Sequence, residues 1–400
     1  MDFNAYQKAL PAQLRGSECP FGAEEFDHRL ARVRDRMAVE DMDALLLTDP
    51  SDIFYLTGYS TFEVSVHVAL LITGSTMLLQ VPSIEMGPAM VTTRVTSVHG
   101  YRWEGIGEVL SPLIDVLNGS ADIVGIDAWH GSLRQGVLEG LKARLSSVRF
   151  IDSGGLVKKL RIVKSAGEIE FLRESARITG EGLKAAAAAV RPGLTDNDIA
   201  AVGARALLEA GSEFMSMQPI VTTGRRSSII HTNHKRYRIE QGEPVFLEFG
   251  SAWQRYTAPM MQTVVAGTPT REMRRVFDGC RRIVDALLAA VKPGVAFDSA
   301  AQAAEKALAS LADTVFFSGV FGYTVGAQFP PSWVEGSGFI ARGGNTEFSS
   351  GMVFHLPICL RVPGQWGIGC SETILVTGSG AEPITANPWT LDQSSVNASR

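Results

Sequence analysis

Two stretches of the chain, AAVRPGLTDNDIAAVGARALLEAG (residues 188–211) and AAVKPGVAFDSAAQAAEKALASLA (residues 289–312), align without a gap at an offset of 101 residues. Each contains a helix end, a basic residue, Pro-Gly, an aliphatic residue and a second, Ala-rich helix. Pro-Gly ends a helix, and Asp, Thr or Ser favours the start of the next one. The repeat therefore predicts an internal duplication, in which two helix–helix–strand halves form one domain. Such a domain normally places its chemistry in the cleft that both halves face.

The residues before the repeat predict a separate α/β domain. Segment 24–40 has apolar residues at helical spacing, and residues 66–81 are typical of two strands joined by a Gly-Ser turn. Helix-like pieces then alternate with short apolar runs. The glycine pair and basic run of IDSGGLVKKL (151–160) indicate a connection. We therefore expect an N-terminal α/β domain over residues 1–160 and the duplicated domain over residues 161–400.

The composition excludes several classes of function. A net charge of -5 argues against nucleic-acid binding, which usually needs a basic excess. The four cysteines have no metal-type spacing, and reduced thiols in a cytoplasmic protein are the expected state. The N-terminal MDFNAYQKAL lacks the apolar segment of a secretory signal. Since Gly-Ser interrupts the longest apolar stretch, we expect no membrane span.

A histidine and a carboxylate in the middle of the duplicated domain are candidates for chemistry. An apolar run leads to His231, and a QGEP turn then reverses the chain into the strand that contains Glu248. With the histidine at the end of one strand and the acid in the next, both could face one cleft. Histidine transfers protons near neutral pH, and a carboxylate holds a cation or acts as a base. From these residues alone, a purely structural role is an equal alternative.

Three segments carry a resemblance to a known family: KSAGEIEFLRESARITGEGL (164–183), IIHTNH followed by IEQGEPVFLEFG (229–250), and SSGMVFHLPICL followed by GCSETILVTGSG (349–380). Together they resemble the pita-bread hydrolases, which include methionine and proline-specific aminopeptidases and creatinase. In that family a histidine precedes the first strand acid by the 17 residues that separate His231 from Glu248 here. The resemblance covers essentially the whole chain. It implies a creatinase-type N-terminal α/β domain and a pseudo-symmetric pita-bread C-terminal domain.

The metal-binding positions of the family are altered in this chain. Its metallopeptidases bind two metal ions through two Asp, one His and two Glu. In the same order, the matching residues here are Glu248, Pro259, Tyr323, Pro357 and Ser371. Proline has no side-chain donor, and tyrosine and serine are poor ligands for a hard divalent ion. We therefore expect no metal, no other cofactor and no peptidase mechanism based on metal-bound hydroxide.

Within the family, GYTVGAQFPPSWVEG (322–336), MVFHL, ETILVT and DPSDIFYLTGY (49–59) are similar to the metal-independent ectoine hydrolases. One departure is STFEVSVH (60–67), where those enzymes tend to have Trp and Tyr just after LTGY. The resemblance implies hydrolysis of a cyclic amidine whose protonated nitrogen already activates the reacting carbon. His231 is then the expected proton-transfer residue. Glu248 contacts the amidinium as anchor, base or nucleophile, and Tyr323 donates a hydrogen bond to the intermediate.

Further residues are candidates for substrate binding, each with a structural alternative. Aromatic side chains could form the walls of the pocket through cation–π contact, or simply pack in the core. An arginine pair could bind the substrate carboxylate bidentately, or lie on the surface. Two acids could line the pocket, or serve as a loop residue and a strand residue. The candidates are Trp333, Phe329, Glu335, Glu372, Arg225, Arg226 and, as a secondary candidate, His355.

The function expected from the resemblance is the opening of the ectoine ring to N-acetyl-diaminobutyrate, in the breakdown of a compatible solute. One alternative is hydrolysis of another small amidine or guanidino acid such as creatine. A second alternative is a non-catalytic homologue that only binds a small molecule. The expected partner is a zwitterionic substrate. The resemblance also implies a homodimer in which the N-terminal domain of one subunit approaches the active site of the other.

Overall fold

The structure is a computed structural model that describes residues 3–10 and 12–392. Backbone contacts divide the chain into two compact units, Met1–Arg161 and Ile162–Arg400. No helix in the described ranges combines the length and the apolar character that a membrane crossing requires.

The first unit is a six-stranded mixed sheet with helices against both faces. Its strand order is β4-β3-β2-β1-β5-β6. The strands are β1 (Ala44–Leu47), β2 (Ala69–Thr73), β3 (Met77–Pro82), β4 (Ser97–Tyr101), β5 (Ile123–Ile126) and β6 (Arg149–Asp152). The helices are α1 (Phe3–Ala9), α2 (Ala23–Val39), α3 (Pro50–Thr57), α4 (Met86–Thr92), α5 (Ile106–Leu117), α6 (Gln135–Arg144) and α7 (Leu156–Arg161).

The apolar run of β1 reflects burial on both sides of this sheet. Leu45 and Leu47 pack in one hydrophobic core, while Ala44 and Leu46 pack in the core on the opposite face. A strand buried on both faces has a continuous apolar sequence instead of an alternating one. The predicted α/β domain and the predicted antiparallel hairpin of β2 and β3 are confirmed.

Two segments of this unit form helices that the sequence analysis did not assign. The aromatic segment after β1 is α3, in which the Asp49 side chain accepts a hydrogen bond from the Ser51 N–H and Pro50 occupies the first turn. Gly58 ends the helix with a φ of 79°. The basic run of the expected connection is α7, which follows Gly154 and Gly155. All of these are ordinary helix start and stop signals.

The second unit contains two helix pairs and two sheets. The helices are α8 (Ala166–Ala189), α9 (Asp196–Glu209), α10 (Arg271–Ala290) and α11 (Phe297–Leu308). The smaller sheet has the order β7-β8-β9, and the larger has the order β11-β10-β12-β13-β14. The strands are β7 (Ile220–Thr223), β8 (Pro244–Phe249), β9 (Met260–Val265), β10 (Gly322–Thr324), β11 (Phe339–Ile340), β12 (Val353–Val362), β13 (Trp366–Thr377) and β14 (Gly380–Pro383).

The predicted duplication is visible in the backbone. Gly193 and Gly294, 101 residues apart in the sequence, end the two Pro-Gly turns with φ values of 90° and 80°. The Gly193 N–H donates to the Ile239 carbonyl, and the Gly294 N–H donates to the Phe348 carbonyl. Two residues after each glycine, an isolated antiparallel bridge follows: Thr195 pairs with Arg238 in the first half, and Ala296 pairs with Glu347 in the second. The two halves therefore share the same turn and the same attachment.

Each helix pair covers the outer face of one sheet, and the inner faces meet. Val245, Leu247 and Phe249 pack among residues of α8 and α9, whereas the even-numbered residues Phe354 to Leu360 pack among residues of α10 and α11. Hydrogen bonds between Thr263 of β9 and Gly369 of β13 join the sheets. The remaining side chains of β8, β12 and β13 consequently face the cleft between the two halves.

Candidate active site

Glu248 lies on the inner face of β8. It is the cross-strand neighbour of Ile220 and Met261, and it shares its face with Phe246 because alternate residues of a strand point the same way. These three apolar residues form a cluster with Cys359 of β12. Glu248 is only 5% exposed, and none of the described residues forms a hydrogen bond with its carboxylate. Burial alone raises the pKa of Glu248 to about 8.

Tyr323 lies on β10, in the second half of the duplication. The Trp333 Nε1–H donates a 2.7 Å hydrogen bond to the tyrosine oxygen. Burial, followed by the negative charge of nearby Glu248, raises the pKa of Tyr323 well above its ordinary value. The tyrosine side chain as a whole is half-buried. The two halves thus supply a carboxylate and a phenol to the same region.

His355 continues a hydrogen-bonded chain behind Tyr323. It is the cross-strand neighbour of Tyr323, and its Nδ1 lies 2.9 Å from the tyrosine oxygen. Its Nε2 lies 2.7 Å from Ser371 Oγ, which also accepts a 2.6 Å hydrogen bond from the Met261 N–H. Burial lowers the pKa of His355 to about 3, so the imidazole is neutral at physiological pH. The structure places His355 behind the tyrosine.

The structure places His231 in a loop, beyond the short 3₁₀ turn Gly224–Ser228, and not at a strand end. Its side chain is exposed, and its ring forms no hydrogen bond or ion pair with another described residue. Ile230 packs against the apolar cluster beside Glu248. Ile230 and His231 have φ values of 44° and 48°, which are unusual for residues with side chains. The loop carrying the histidine therefore borders the site without a direct contact to the carboxylate.

The two arginine candidates occupy different environments. Arg226 forms an ion pair with Asp196 and donates to the Asn233 carbonyl, so that it holds the 232–237 loop in place. Its guanidinium lies 4.9 Å from the centre of the Tyr237 ring. Arg225 is exposed on the 3₁₀ turn. The charge of Arg226 is thus already balanced within the protein.

The two aromatic candidates are both buried. The Trp333 indole N–H donates its hydrogen bond to Tyr323. A side chain at Gly250 would lie 3.0 Å from the Trp333 ring, so the glycine after β8 makes room for this tryptophan. Phe329 packs under the Arg255 guanidinium at 4.2 Å, and Phe214 lies 4.6 Å from the same group. Trp333 therefore contacts the tyrosine of the site, whereas Phe329 contacts an arginine that the sequence analysis did not single out.

Glu335 forms a buried ion pair. Its Oε2 accepts a 2.7 Å hydrogen bond from Lys164 Nζ, and both side chains are at most 1% exposed. The Ser337 hydroxyl donates to the same oxygen. The sequence left a pocket-lining role and a loop role open, and the structure places this carboxylate in a buried ion pair.

Glu372 lies on the outer face of β13, opposite Ser371, because adjacent strand residues point to opposite faces. The Thr385 hydroxyl, the Asn387 N–H and the Trp389 Nε1–H all donate to its carboxylate. Burial raises the pKa of Glu372 to about 7, against the lowering effect of these hydrogen bonds. The residue anchors the segment after β14 and does not face the cleft.

The donor groups at the family's metal positions do not fit a dinuclear centre. Pro259 and Pro357 have no side-chain donor, and Ser371 Oγ is bonded to a backbone N–H and to His355. Throughout residues 3–10 and 12–392, no group of three or more His, Cys, Asp or Glu side chains could hold a metal ion. Of the five positions, only that of Glu248 has a carboxylate.

Ser371 is the residue of this site whose role the sequence analysis missed. It was identified only as the position of an altered metal ligand, yet the structure gives its hydroxyl two hydrogen-bond partners in the site. Ser371 and Glu372 are adjacent in the sequence, so in a strand only one of the two can point to the inner face. Once β12 and β13 are paired with Pro357 opposite Ser371, strand alternation assigns the serine to the inner face.

Comparisons with known proteins agree with this architecture. Residues 29–163 match the Creatinase/Prolidase N-terminal domain. The chain is 27% identical to the ectoine hydrolase of Halomonas elongata, with 93% of this chain and 98% of the relative covered. It is 23% identical to the Xaa-Pro dipeptidase of Pyrococcus furiosus, with 89% and 97% covered. The crystal structure of the prolidase from Pyrococcus horikoshii OT3 superposes with a TM-score of 0.80 at 22% identity, covering 91% of this chain and 99% of that one.

The comparisons support the coarser part of the resemblance, namely the two domains and their fold. Ectoine hydrolase and Xaa-Pro dipeptidases both occur among the relatives, so the substrate does not follow from similarity. The family model itself covers residues 170–378, which is more than half of the chain and includes Glu248, Tyr323, His355 and Ser371. The chain therefore belongs to metallopeptidase family M24, and a creatinase/prolidase-type domain precedes its pita-bread domain in the sequence.

Proposed function

We propose that the protein hydrolyses a C–N bond of a small cationic amidine that also carries a carboxylate, with ectoine as the first candidate substrate, and that it does so without a metal ion. The observation that carries the proposal is Glu248, a buried carboxylate with no hydrogen-bond partner among the described residues. A buried negative charge is costly unless a positive charge compensates it. An amidinium ring supplies that charge, which a neutral peptide bond does not.

In the proposed reaction, water adds to the amidinium carbon and the bond from this carbon to one ring nitrogen then breaks. The proton lost by the attacking water passes to Glu248 or to His231, and the leaving nitrogen receives a proton. The products are an amide and a free amine, so that ectoine plus water gives an N-acetyl-diaminobutyrate. Tyr323 donates a hydrogen bond to the oxygen of the tetrahedral intermediate. A protonated amidine is already electrophilic, which removes the need for a Lewis acid.

The residues have separate tasks in this scheme. Glu248, at the bottom of the apolar cluster, orients the cation and keeps its reacting carbon beside Tyr323. His231, in the loop that borders the cluster, transfers protons at the outer side of the substrate. Arg225, exposed on the preceding turn, is the candidate for the substrate carboxylate, since the charge of Arg226 is engaged by Asp196.

Three substrates separate this function from the alternatives. Purified protein is incubated with ectoine, creatine or an Xaa-Pro dipeptide, each with and without a chelator, and the products are followed by NMR. We expect turnover of ectoine that the chelator does not change. Turnover of creatine alone would keep the reaction class and change the substrate. Cleavage of the dipeptide that the chelator abolishes would contradict the proposal and indicate a metal-dependent peptidase.

A matched pair of variants tests the residue that carries the proposal. Glu248→Gln keeps the volume of the side chain and removes its charge, and we expect it to abolish turnover of the cationic substrate. Glu382→Gln makes the same change in an exposed acid that pairs with Arg173 at the surface, and we expect it to leave turnover unchanged. Equal activity of the two variants would remove Glu248 from the mechanism.

The proposal includes a homodimer, which the resemblance to creatinase-type enzymes implies. Light scattering after size-exclusion chromatography is expected to give twice the mass of one chain. A monomer that turns over the substrate at the full rate would contradict this part of the proposal.

A further inference from the structure

The hydrogens around Tyr323 can be assigned by counting donors and acceptors. The Trp333 Nε1–H and the Met261 N–H can only donate. Tyr323 Oη and Ser371 Oγ therefore each accept one hydrogen bond. Between these two hydroxyls lies His355, which is neutral and carries one hydrogen on either Nδ1 or Nε2. The position of that single hydrogen fixes the direction of both hydroxyl groups.

One tautomer leaves a buried donor without an acceptor. If His355 carries its hydrogen on Nε2, it donates to Ser371, whose oxygen then accepts two hydrogen bonds. The serine hydrogen would have no acceptor among the described residues, although Ser371 is fully buried. An unmade hydrogen bond of a buried hydroxyl is costly.

The other tautomer satisfies the buried end of the chain. Ser371 donates to Nε2 of His355, and the Nδ1–H of His355 donates to Tyr323 Oη. Tyr323 then accepts two hydrogen bonds, from His355 and from Trp333, at 2.9 Å and 2.7 Å. Of the hydrogens in this set, only that of Tyr323 then has no partner among the described residues. Tyr323 is the half-buried member of the set and lies near Glu248, so it is the member whose hydrogen can reach an acceptor outside the set.

We propose that Ser371 and His355 are positioning residues that hold the Nδ1–H tautomer and thereby make Tyr323 a hydrogen-bond donor toward Glu248 and a bound substrate. Two hydrogen bonds received by the phenol oxygen stabilise negative charge on it, which strengthens the bond that it donates. The catalytic consequence rests on the proposed function, because the donated hydrogen bond stabilises the oxygen of the tetrahedral intermediate. The tautomer itself follows from the hydrogen-bond pattern of the substrate-free protein.

The tautomer is measured directly by ¹⁵N NMR of histidine-labelled, full-length protein without substrate. The signals of His355 are identified by their loss in His355→Gln. We expect a protonated Nδ1 and an unprotonated Nε2, and no change between pH 6 and pH 9. A protonated Nε2 in the wild type would overturn the inference. This outcome is independent of any substrate, so it is distinguishable from a failure of the proposed function.

Ser371→Ala removes the hydroxyl that selects the tautomer. We expect the His355 hydrogen to be no longer confined to Nδ1, and kcat on the cationic substrate to fall roughly 10- to 100-fold with little change in KM. Ser371→Thr keeps a hydroxyl and is the matched rescue variant, expected to restore both the ¹⁵N signals and most of kcat. Thermal unfolding of each variant checks that it is folded.

A double variant separates positioning from packing. The Tyr323→Phe variant has no phenol hydrogen to orient. Adding Ser371→Ala to it should therefore give the same kcat as Tyr323→Phe alone. If Ser371→Ala lowers kcat by the same factor with and without the Tyr323 hydroxyl, the serine acts through the general structure of the site. That result would overturn the positioning role even if the predicted tautomer is observed.

Discussion

Tyr323 and His355 face each other on the neighbouring antiparallel strands β10 and β12, with the tyrosine oxygen 2.9 Å from Nδ1 of the histidine. Both belong to the second half of the duplicated domain, whereas the buried carboxylate beside the tyrosine, Glu248, belongs to the first. The contact occupies a position where the family's metallopeptidases keep a metal-binding histidine. A phenol held by hydrogen bonds therefore stands where the family resemblance would place a metal ligand.

Removal of the phenol hydroxyl should impair catalysis more than substrate binding. For Tyr323→Phe we expect kcat to fall by about 10²- to 10³-fold with a nearly constant KM, as for the loss of one preorganised donor to an oxyanion. Steady-state kinetics measure both constants. Tyr237→Phe, in which an exposed tyrosine loses the same group, is the control and should match the wild type. An unchanged kcat for Tyr323→Phe would contradict its role.

The activity should depend on pH through Glu248. Because burial raises the pKa of Glu248 to about 8, the free enzyme carries the active carboxylate only above that pH, and kcat/KM should rise as pH increases through about 8. A bound amidinium favours the carboxylate, so the rise of kcat should occur at lower pH than that of kcat/KM. Rate profiles from pH 5 to pH 10 measure both. A kcat/KM that falls through pH 8 would mean that the protonated acid is the active form.

The same group should make the protein less stable at high pH. Its folded-state pKa lies above the ordinary value of 4.5, so the folded protein binds the proton more tightly than the unfolded chain does. The stability that this provides is present below pH 4.5 and is lost as pH rises through about 8. Glu248→Gln, which cannot ionise, should therefore be more stable than the wild type at pH 9, by on the order of a few kcal/mol. Urea unfolding at pH 5 and pH 9 measures the difference, which should nearly vanish at pH 5.

Glu335 should act on stability and not on substrate affinity. Glu335→Gln removes the carboxylate charge from a buried ion pair with Lys164, which typically costs about 3–5 kcal/mol of unfolding free energy. Glu382→Gln, which breaks a pair whose side chains are about half exposed, is the control and should cost at most about 1 kcal/mol. Chemical unfolding and KM are measured for both variants. A raised KM with unchanged stability would instead support a pocket-lining role for Glu335.

His231 should affect turnover and leave the folded state unchanged. Its exposed ring has no partner among the described residues, so His231→Ala should change the unfolding free energy by less than about 0.5 kcal/mol. As the proton-transfer residue it should lower kcat by about 10²-fold or more. His234→Ala, in the same loop, is the matched control. If His231→Ala keeps the wild-type kcat, the proton transfer belongs to Glu248 alone.

The duplication and the domain types could be predicted from the sequence because their signals are local. Pro-Gly turns, helix caps and the spacing of apolar residues depend on a few neighbouring residues. The signals for α3 were local as well, since Asp49, Pro50 and Gly58 mark its start and its end. The apolar segment between them, buried throughout, has no helical periodicity, so the pattern of hydrophobic residues alone does not indicate a helix.

The hydrogen-bonded chain of the site could not be predicted because it depends on strand register. Ser371 and Glu372 are adjacent in the sequence, and only the pairing of β12 with β13 shows which of them faces the cleft. A shift of one residue would exchange them. Likewise, the ion pair of Glu335 joins residues 171 positions apart, which no local pattern reveals.

The division of the site between the two halves has a consequence for the order of events during synthesis. Glu248 is made with the first half, but the strands that cover it, β12 and β13, include Ser371 and end at Thr377, close to the C-terminal end of the sequence. Until those strands dock, the carboxylate remains hydrated and has the acidity of an ordinary glutamate. The raised pKa of Glu248, which comes from burial, is therefore established only when the strands of the second half are in place.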